Sequence, residues 1–383
     1  MSIMSDIRIE LVHAAINEAN MSIDYNIYDD FHKQHEFRKE IILNYNSLTN
    51  DEKTYAIKVL NKNYDKNKIM NNSGTRRTCE NCNQECLATL YCEYCIQNYL
   101  KVNFSNWTSG NNNIDNLIQN FQITTLMPDN IIEWIPYNNF QNIEYLTEGG
   151  FSEIYAADWI DGRYEEWDSK EQKLIKIGKR KVILKVLGNV ESADQRWFEE
   201  AESHLKIGNK WVTVVRCYGL TQNPSNGNYM LVIYRMDTDL RKYLQQFQNQ
   251  LSWKEKIKIA YEIVLAIDVI HIENAIHRDL HSGNILYSKL NQKWVISDLG
   301  FCGPADKSTE SIYGNLPYIA PEVISGNSGK YVTKKSDIYS AAMLMWEISS
   351  GQPPFNDFEN DYDLALKIIN GMRPKVIAGT PAL

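Results

Sequence analysis

Apolar residues fall into two kinds of pattern along the chain, helical up to about residue 121 and strand-like from about 140. Residues 1 to 75 are polar, with short helical stretches. Ser47-Leu48-Thr49-Asn50-Asp51-Glu52 leads into Ala56, Ile57, Val59 and Leu60, and an Asn or Asp at the start with Glu in the first turn suits a helix N-terminus. Nothing in 1 to 75 suggests chemistry; small helices docking on a partner or on the rest of the chain are expected, with Asn-rich disorder as the alternative. After Trp107-Thr108-Ser109-Gly110, the residues Asn113, Ile114, Leu117, Ile118 and Phe121 predict a helix with one apolar face. Met127-Pro128-Asp129-Asn130 ends it. Residues 122 to 140, with Pro128 and Pro136, read as a connector packed by Trp134 and Phe140.

Beyond 140 short apolar runs predict strands at Ile143 to Gly149, Glu153 to Trp159, Lys181 to Leu187, Val212 to Tyr218 and Tyr229 to Tyr234, with a helix from Ala193 to Ile207. The charged segment 160 to 179 reads as a solvated loop. An antiparallel five-stranded sheet with one helix results, and Ile233 to Met236 would cross into a second, helical lobe. There Ser252-Trp253-Lys254-Glu255 is a capping box before Ile257, Ala260, Val264, Ile267 and Ile270 at helical spacing. A hairpin is expected at Ile285 to Tyr287 and Trp294 to Ile296. Ser336-Asp337-Ile338-Tyr339 opens an apolar helix through Met343, Leu344 and Trp346, and a last helix falls at about 361 to 371. The fold class expected is α+β, a small antiparallel β lobe and a large helical lobe behind a helical, cysteine-bearing N-terminal region.

Composition changes this picture little. A length of 383 residues gives two to three domains, and 43% hydrophobic with 23% charged residues is ordinary for a soluble protein. The net charge of -8 argues against a nucleic-acid footprint, so no nucleic-acid partner is expected. The N-terminus lacks the basic start and apolar core of a secretory signal, and no apolar run approaches the ~18 residues of a membrane span. A cytoplasmic address is the default, with the nucleus as the alternative; oligomeric state is not readable.

Five of the seven cysteines lie between 79 and 95, so a chain-wide disulfide framework is not expected. Cys79-Glu80-Asn81-Cys82, nine residues, then Cys92-Glu93-Tyr94-Cys95 form two C-x2-C pairs, and four thiolates suit a closed, tetrahedral, structural Zn²⁺ site. Cys86 is a spare thiol or a substitute for one of the four. The competing readings are two redox or incidental pairs, and a nucleic-acid-binding zinc module.

The second group is His277-Arg278-Asp279-Leu280-His281-Ser282-Gly283-Asn284 with Asp298-Leu299-Gly300. The hairpin between them would fold Asp298 back beside Asn284, and two carboxylates with an amide oxygen suit Mg²⁺ and a hydroxyl nucleophile. Lys185 lies inside an apolar run, where a cation is expensive unless paired; Glu200, on the following helix, is the expected partner. Glu148-Gly149-Gly150-Phe151-Ser152 is a glycine turn whose amides could lie over phosphates. Asp337 either caps its helix or holds the catalytic-loop backbone.

In order, Gly149, Lys185, Glu200, His277-Arg278-Asp279 with Asn284, Asp298-Leu299-Gly300, Ala320-Pro321-Glu322 and Asp337 resemble the protein kinase family over roughly 140 to 383. His281-Ser282-Gly283 and Trp346-Glu347-Ile348 resemble the tyrosine-kinase-like branch, with a four-cysteine module in front as in some fungal members. The resemblance implies a bilobal kinase fold over 141–383, after a helical region at 1–75, a cysteine module and helix at 76–121 and the connector at 122–140. It also implies ATP and Mg²⁺ as cofactors and protein substrates. By this resemblance Lys185, held by Glu200, positions the α and β phosphates, Asn284 and Asp298 hold Mg²⁺, and Asp279 orients the substrate hydroxyl and accepts its proton. Nucleotide contacts would come from Thr147, Gly149, Gly150, Ser152, Lys185, Ile233, Met236, Asn284 and Asp298. Arg278 would pair with a phosphorylated activation segment, 298 to 322, at Ser308, Thr309, Ser311 or Tyr313.

Several positions depart from the family pattern. Thr147 and Ser152 replace the outer glycines of the phosphate loop, Leu299 replaces the usual Phe, His281 stands where serine/threonine kinases carry Lys, and Asn315 where they carry Thr. Serine/threonine specificity is the first expectation and tyrosine the second. The sequence stops soon after the last expected helix, so the final helices of the large lobe, and the arginine that would pair with Glu322, are expected to be absent. The rival reading is a pseudokinase or adaptor that binds nucleotide or partners without turnover.

Overall fold

A computed structural model of the chain describes residues 7–149, 152–187, 196–300, 302–304, 314–326, 332–359, 362–377 and 379–380. Its contacts form two units, residues 1–131 with 161–178, and residues 132–160 with 179–383.

In the first unit the helices α1 (Ile9–Met21), α2 (Phe31–Leu43) and α3 (Asn50–Met70) share a core of Val12, Ala15, Ile16, Ile42, Leu48, Ala56 and Leu60. The polar stretch around 50 folds because its N-terminus is satisfied: Thr49 and Glu52 form a capping box, and Glu52 also receives the Arg8 guanidinium at 2.8 Å. Thr49, rather than the Asn or Asp beside it, is the cap. Near the end of α3 the buried pair Asp65 and Lys68, 3.0 Å apart, reaches the cysteine loop. Asp65 accepts from Thr89 and from the Leu90 amide, and Lys68 donates to the Leu87 carbonyl. The ladder β1 (Arg77–Thr78) and β2 (Glu85–Cys86) follows, then α4 (Glu93–Asn103) and α5 (Asn112–Thr124), the latter capped by Asn111.

In the second unit β3 (Glu133–Trp134), β4 (Phe140–Gly149) and β5 (Ser152–Trp159) precede an insertion, which makes its own hairpin of β6 (Tyr164–Asp168) and β7 (Lys173–Lys176). The sheet resumes with β8 (Arg180–Val186), then α6 (Arg196–Lys210), β9 (Cys217–Gln222) and β10 (Tyr229–Tyr234). Its order is β3-β9-β10-β8-β5-β4, six strands among the described residues and not five, and β3 runs parallel to β9. Gly219 makes this possible, since at φ +150° a Cβ there would lie 1.8 Å from the Glu133 carbonyl oxygen. The strand expected at 212 to 218 begins only at Cys217, because the residues before it are used elsewhere. The Val215 amide donates to the Ile296 carbonyl, and the Ile296 amide to the Thr213 carbonyl.

The insertion is not a solvated loop. By its contacts it belongs to the first unit, where Trp167 and Leu174 are buried with Cys79, Cys86, Tyr91, Ile96 and Leu100. Its charges face lysines: Glu166 lies 2.7 Å from Lys58, and Glu165 pairs with Lys62. Trp167 meets Tyr99 edge to face at 5.7 Å.

The helical lobe of the second unit holds β11 (Thr238–Asp239), α7 (Leu240–Phe247), α8 (Trp253–Ile272), β12 (Ala275–Ile276), β13 (Ile285–Ser288), β14 (Lys293–Ile296), β15 (Gly303–Pro304), α9 (Pro321–Ser325), α10 (Lys334–Ser350) and α11 (Tyr362–Ile369). Ser252 and Glu255 cap α8, whose Ile259, Ile263, Ala266, Ile267 and Ile270 pack with Leu344 and Ile348 of α10. Thr333 caps α10, and Gly351 ends it in the left-handed region at φ +73°.

Candidate active site and cysteine centre

On β8 successive side chains alternate between the two faces of the sheet, so Val182 and Leu184 enter the core with Trp159 and Tyr218 while Lys185 emerges opposite. Lys185 is 6% exposed. A cation so buried needs anions, and its Nζ lies 2.7 Å from Glu200 on α6 and 2.5 Å from Asp298. Burial alone would lower the Lys185 pKa; the two carboxylates outweigh it and raise it. They share the cation unequally. Asp298, despite its burial, is held far below the usual carboxylate range by Lys185, whereas burial pushes Glu200 up.

The loop before β13 is held from several sides. Asp337 of α10 is 1% exposed, and its two oxygens accept the amides of His277 at 2.9 Å and Arg278 at 3.0 Å, with His271 Nε2 at 2.8 Å from Oδ2. Of the two roles open to Asp337, holding the loop is the observed one; Thr333 caps the helix. His277 Nδ1 accepts the Asp279 amide at 3.3 Å, and Nε2 therefore donates to the Ser297 carbonyl at 2.9 Å. Arg278 and Asp298 both adopt positive φ, +71° and +57°, sparsely populated for such residues. Gly314 lies so close that a Cβ there would be 3.1 Å from Asp279 Oδ1.

Strands β13 and β14 pair Ile285 with Ile296, and the Ser297 amide donates to the Asn284 carbonyl at 2.8 Å. Asn284 therefore sits at the foot of the segment that carries Asp298. Its Nδ2 donates to the Asp279 carbonyl at 2.9 Å, which leaves Oδ1 as a hard oxygen ligand. On Asp298 both Lys185 and the Gly300 amide use Oδ1, leaving Oδ2 for a metal. This donor set fits Mg²⁺.

Thr147 and Gly149 lie in β4, and Ser152 starts β5 opposite Gly149. Ile233 is buried near the end of β10, and Met236 follows that strand, half-buried. Gly150 lies outside the described residues, as do Ser308, Thr309, Ser311 and Tyr313. Sequence reasoning missed two neighbours of the site, His204 and Gly314. For His204 the signal was its spacing, four residues after Glu200 on one helical face.

The sequence model of the family described as "Protein tyrosine and serine/threonine kinase" matches residues 140–382, more than half of the chain. The chain belongs to the protein kinase family. This kinase is 25% identical over 264 residues to a "Probable serine/threonine-protein kinase" of Dictyostelium discoideum, covering 66% of this chain and 18% of the relative. It is 29% identical over 241 residues to the human ankyrin repeat and protein kinase domain-containing protein 1, covering 60% and 29%. It is 25% identical over 246 residues to the mouse receptor-interacting serine/threonine-protein kinase 4, covering 62% and 28%. The matched segments span less than a third of the length of each of these relatives.

Outside the kinase match, the Sγ atoms of Cys79, Cys82, Cys92 and Cys95 all lie within 4.8 Å of one another, with Cys79 to Cys95 at 3.7 Å and Cys82 to Cys92 at 3.6 Å. A tetrahedral site with Zn–S of about 2.3 Å needs S–S edges of roughly 3.8 Å, so the four sulfurs fit zinc. At Cys79 burial is outweighed by the Cys82 and Asn81 amides and the neighbouring thiols, bringing it down to about 7, whereas burial pushes Cys95 up to about 11. Cys86 is turned to the Arg77 carbonyl at 3.5 Å. It also belongs to a tight group with Cys92 and Glu93.

Proposed function

We propose that this chain is an ATP-dependent protein kinase that transfers the γ-phosphate of MgATP to serine or threonine hydroxyls of protein substrates. One observation carries the reading: Lys185 stands within 2.7 Å of both Glu200 and Asp298, joining residues 113 positions apart in one ion-pair group. On this reading Lys185 positions the α and β phosphates, Glu200 holds Lys185, Asn284 and Asp298 hold Mg²⁺, and Asp279 orients the hydroxyl and accepts its proton. Mg²⁺ supplies neutralisation of charge on the phosphates. Ile233 and Met236 line the nucleotide end, and Thr147, Gly149, Gly150 and Ser152 cover its phosphates. We assign the kinase to the tyrosine-kinase-like branch on His281-Ser282-Gly283 and Trp346-Glu347-Ile348, and to the cytoplasm in a signalling role. None of the described helices is long and apolar enough to cross a membrane.

Asp279→Asn should lower kcat by about 10²- to 10⁴-fold, the usual contribution of a general base. Steady-state turnover with Mg²⁺ and a protein substrate checks this; an unchanged kcat would remove Asp279 from the proposed role. A pseudokinase would show no turnover in the unsubstituted chain.

We further propose a structural Zn²⁺ on Cys79, Cys82, Cys92 and Cys95. Metal analysis of the full chain should find one zinc per molecule, lost in Cys82→Ser, and a chelator should unfold the first unit, since such sites contribute about 10–16 kcal/mol. A folded chain with no zinc would refute the site.

A further inference from the structure

Helix α7 brings a guanidinium up to the loop that carries Asp279. Arg241, in the first turn of that helix, donates from Nε to Ser282 Oγ at 3.1 Å and from Nη2 to the Tyr318 hydroxyl at 3.3 Å. Tyr318 in turn donates to Glu347 Oε2 at 2.6 Å, and Glu347 Oε1 lies 3.9 Å from Arg241 Nε. Glu347 is 1% exposed, so no peptide reaches it. The Arg241 side chain is 34% exposed, and Nη1, with two N–H groups, has no partner among the described residues.

Acting as counter-ion to Glu347 accounts for only part of this arrangement. At 3.9 Å that pair is loose, and two neutral oxygens hold the guanidinium more closely than the carboxylate does. Asp239, two residues earlier, is already taken up by Lys242: its Oδ1 accepts the Lys242 amide at 2.9 Å, and its Oδ2 lies 2.9 Å from Lys242 Nζ. Arg241 is left as a fixed donor fork with a face open to solvent, the geometry that pairs bidentately with a carboxylate. Its neighbours set its distance from the acceptor site. His281 Nε2 lies 3.8 Å from Asp279 Oδ2, the His281 and Tyr318 ring centroids are 6.2 Å apart, and Tyr318 is the residue that Arg241 touches. The path from Asp279 to Arg241 is on the order of 10 Å, roughly three residues of an extended peptide at ~3.3 Å each.

We propose that Arg241 is a specificity-determining residue that selects protein substrates carrying an aspartate or glutamate about two to four residues from the phosphorylated hydroxyl. The proposal rests on Asp279 being the base of a protein kinase, and its test therefore includes a binding arm that needs no turnover. The probe is a set of peptides with a fixed serine or threonine and with Asp, Ala or Lys at each flanking position in turn.

With the full chain, kcat/KM should be about tenfold higher for Asp than for Ala at one position in that range, the scale of one charged hydrogen-bonded contact. The Asp-to-Ala ratio should fall to within about twofold of one in Arg241→Gln, and Lys should become the preferred residue in Arg241→Glu. A merely structural role would lower turnover of all peptides together and leave the ratio intact. The binding arm uses the same peptides with alanine in place of the acceptor. Their Kd for the unsubstituted chain, read by fluorescence anisotropy at low salt, should be about tenfold lower with Asp than with Ala at that position, and the gap should close near ~1 M salt. No acidic preference in the unsubstituted chain, or one that survives in folded Arg241→Gln, overturns the proposal. Should neither variant fold, the absence of a salt-sensitive gap in the unsubstituted chain overturns it equally. If no peptide is phosphorylated the kinase reading fails, and the binding comparison between the unsubstituted chain and Arg241→Gln then decides whether Arg241 holds a carboxylate.

Discussion

Arg278 keeps a positive φ because its amide and that of His277 are both captured by Asp337, some 60 residues further on. An isolated residue of this kind costs about 1–3 kcal/mol in that conformation, so the loop depends on the carboxylate that holds it. Asp337→Asn places an amide NH₂ where one oxygen now accepts, leaving a buried donor unmatched. We expect a loss of about 1–3 kcal/mol in unfolding free energy by denaturant titration and a turnover at least about tenfold lower. Unchanged stability would mean that other contacts hold the loop. In the sequence Asp337 had two readings, since a cap is local and visible while its actual partners are distant. Lys185 was more legible, because a cation in an apolar run demands an anion wherever the chain goes; Glu200 was found, whereas the second partner, Asp298, came only with the fold.

Among elements, the hairpin of β6 and β7 departs furthest from expectation. Its charges suggested solvent, but Glu165 and Glu166 lie together between Tyr164 and Trp167, where the ladder shifts register, and the lysines that answer them lie on α3, about a hundred residues earlier. Trp167 buries its ring beside the cysteine centre. Trp167→Ala should therefore cost the first unit about 3–5 kcal/mol, the usual range for a buried aromatic, while Glu166→Gln, removing a half-exposed ion pair, should cost under about 1 kcal/mol. Thermal melts of the two variants check the contrast, and equal effects would place the hairpin back in solvent. The short β3 went unread for a related reason. Its two residues lie in a Pro-rich connector, and the decisive feature is the missing side chain of Gly219 on another strand.

At the scale of the whole molecule, periodicity and capping boxes are local and made the β lobe, the helical lobe and the α8 and α10 helices readable in advance. The division into units is not local. The first unit gathers residues 1–131 and then 161–178 from within the kinase sheet sequence, and its core joins Cys79, Cys92 and Cys95 to Trp167 and Leu174. The second unit contains Lys185, Glu200, Asp279, Asn284 and Asp298, all within the span of the kinase family match. The central claim is that this unit transfers phosphate through Asp298. Its most direct test is γ-phosphate transfer from MgATP to a protein substrate by the full chain and by Asp298→Asn, with both shown to be folded. We predict turnover in the unsubstituted chain and a fall of at least about a hundredfold in the variant. Equal rates in the two, or none in either, would contradict it.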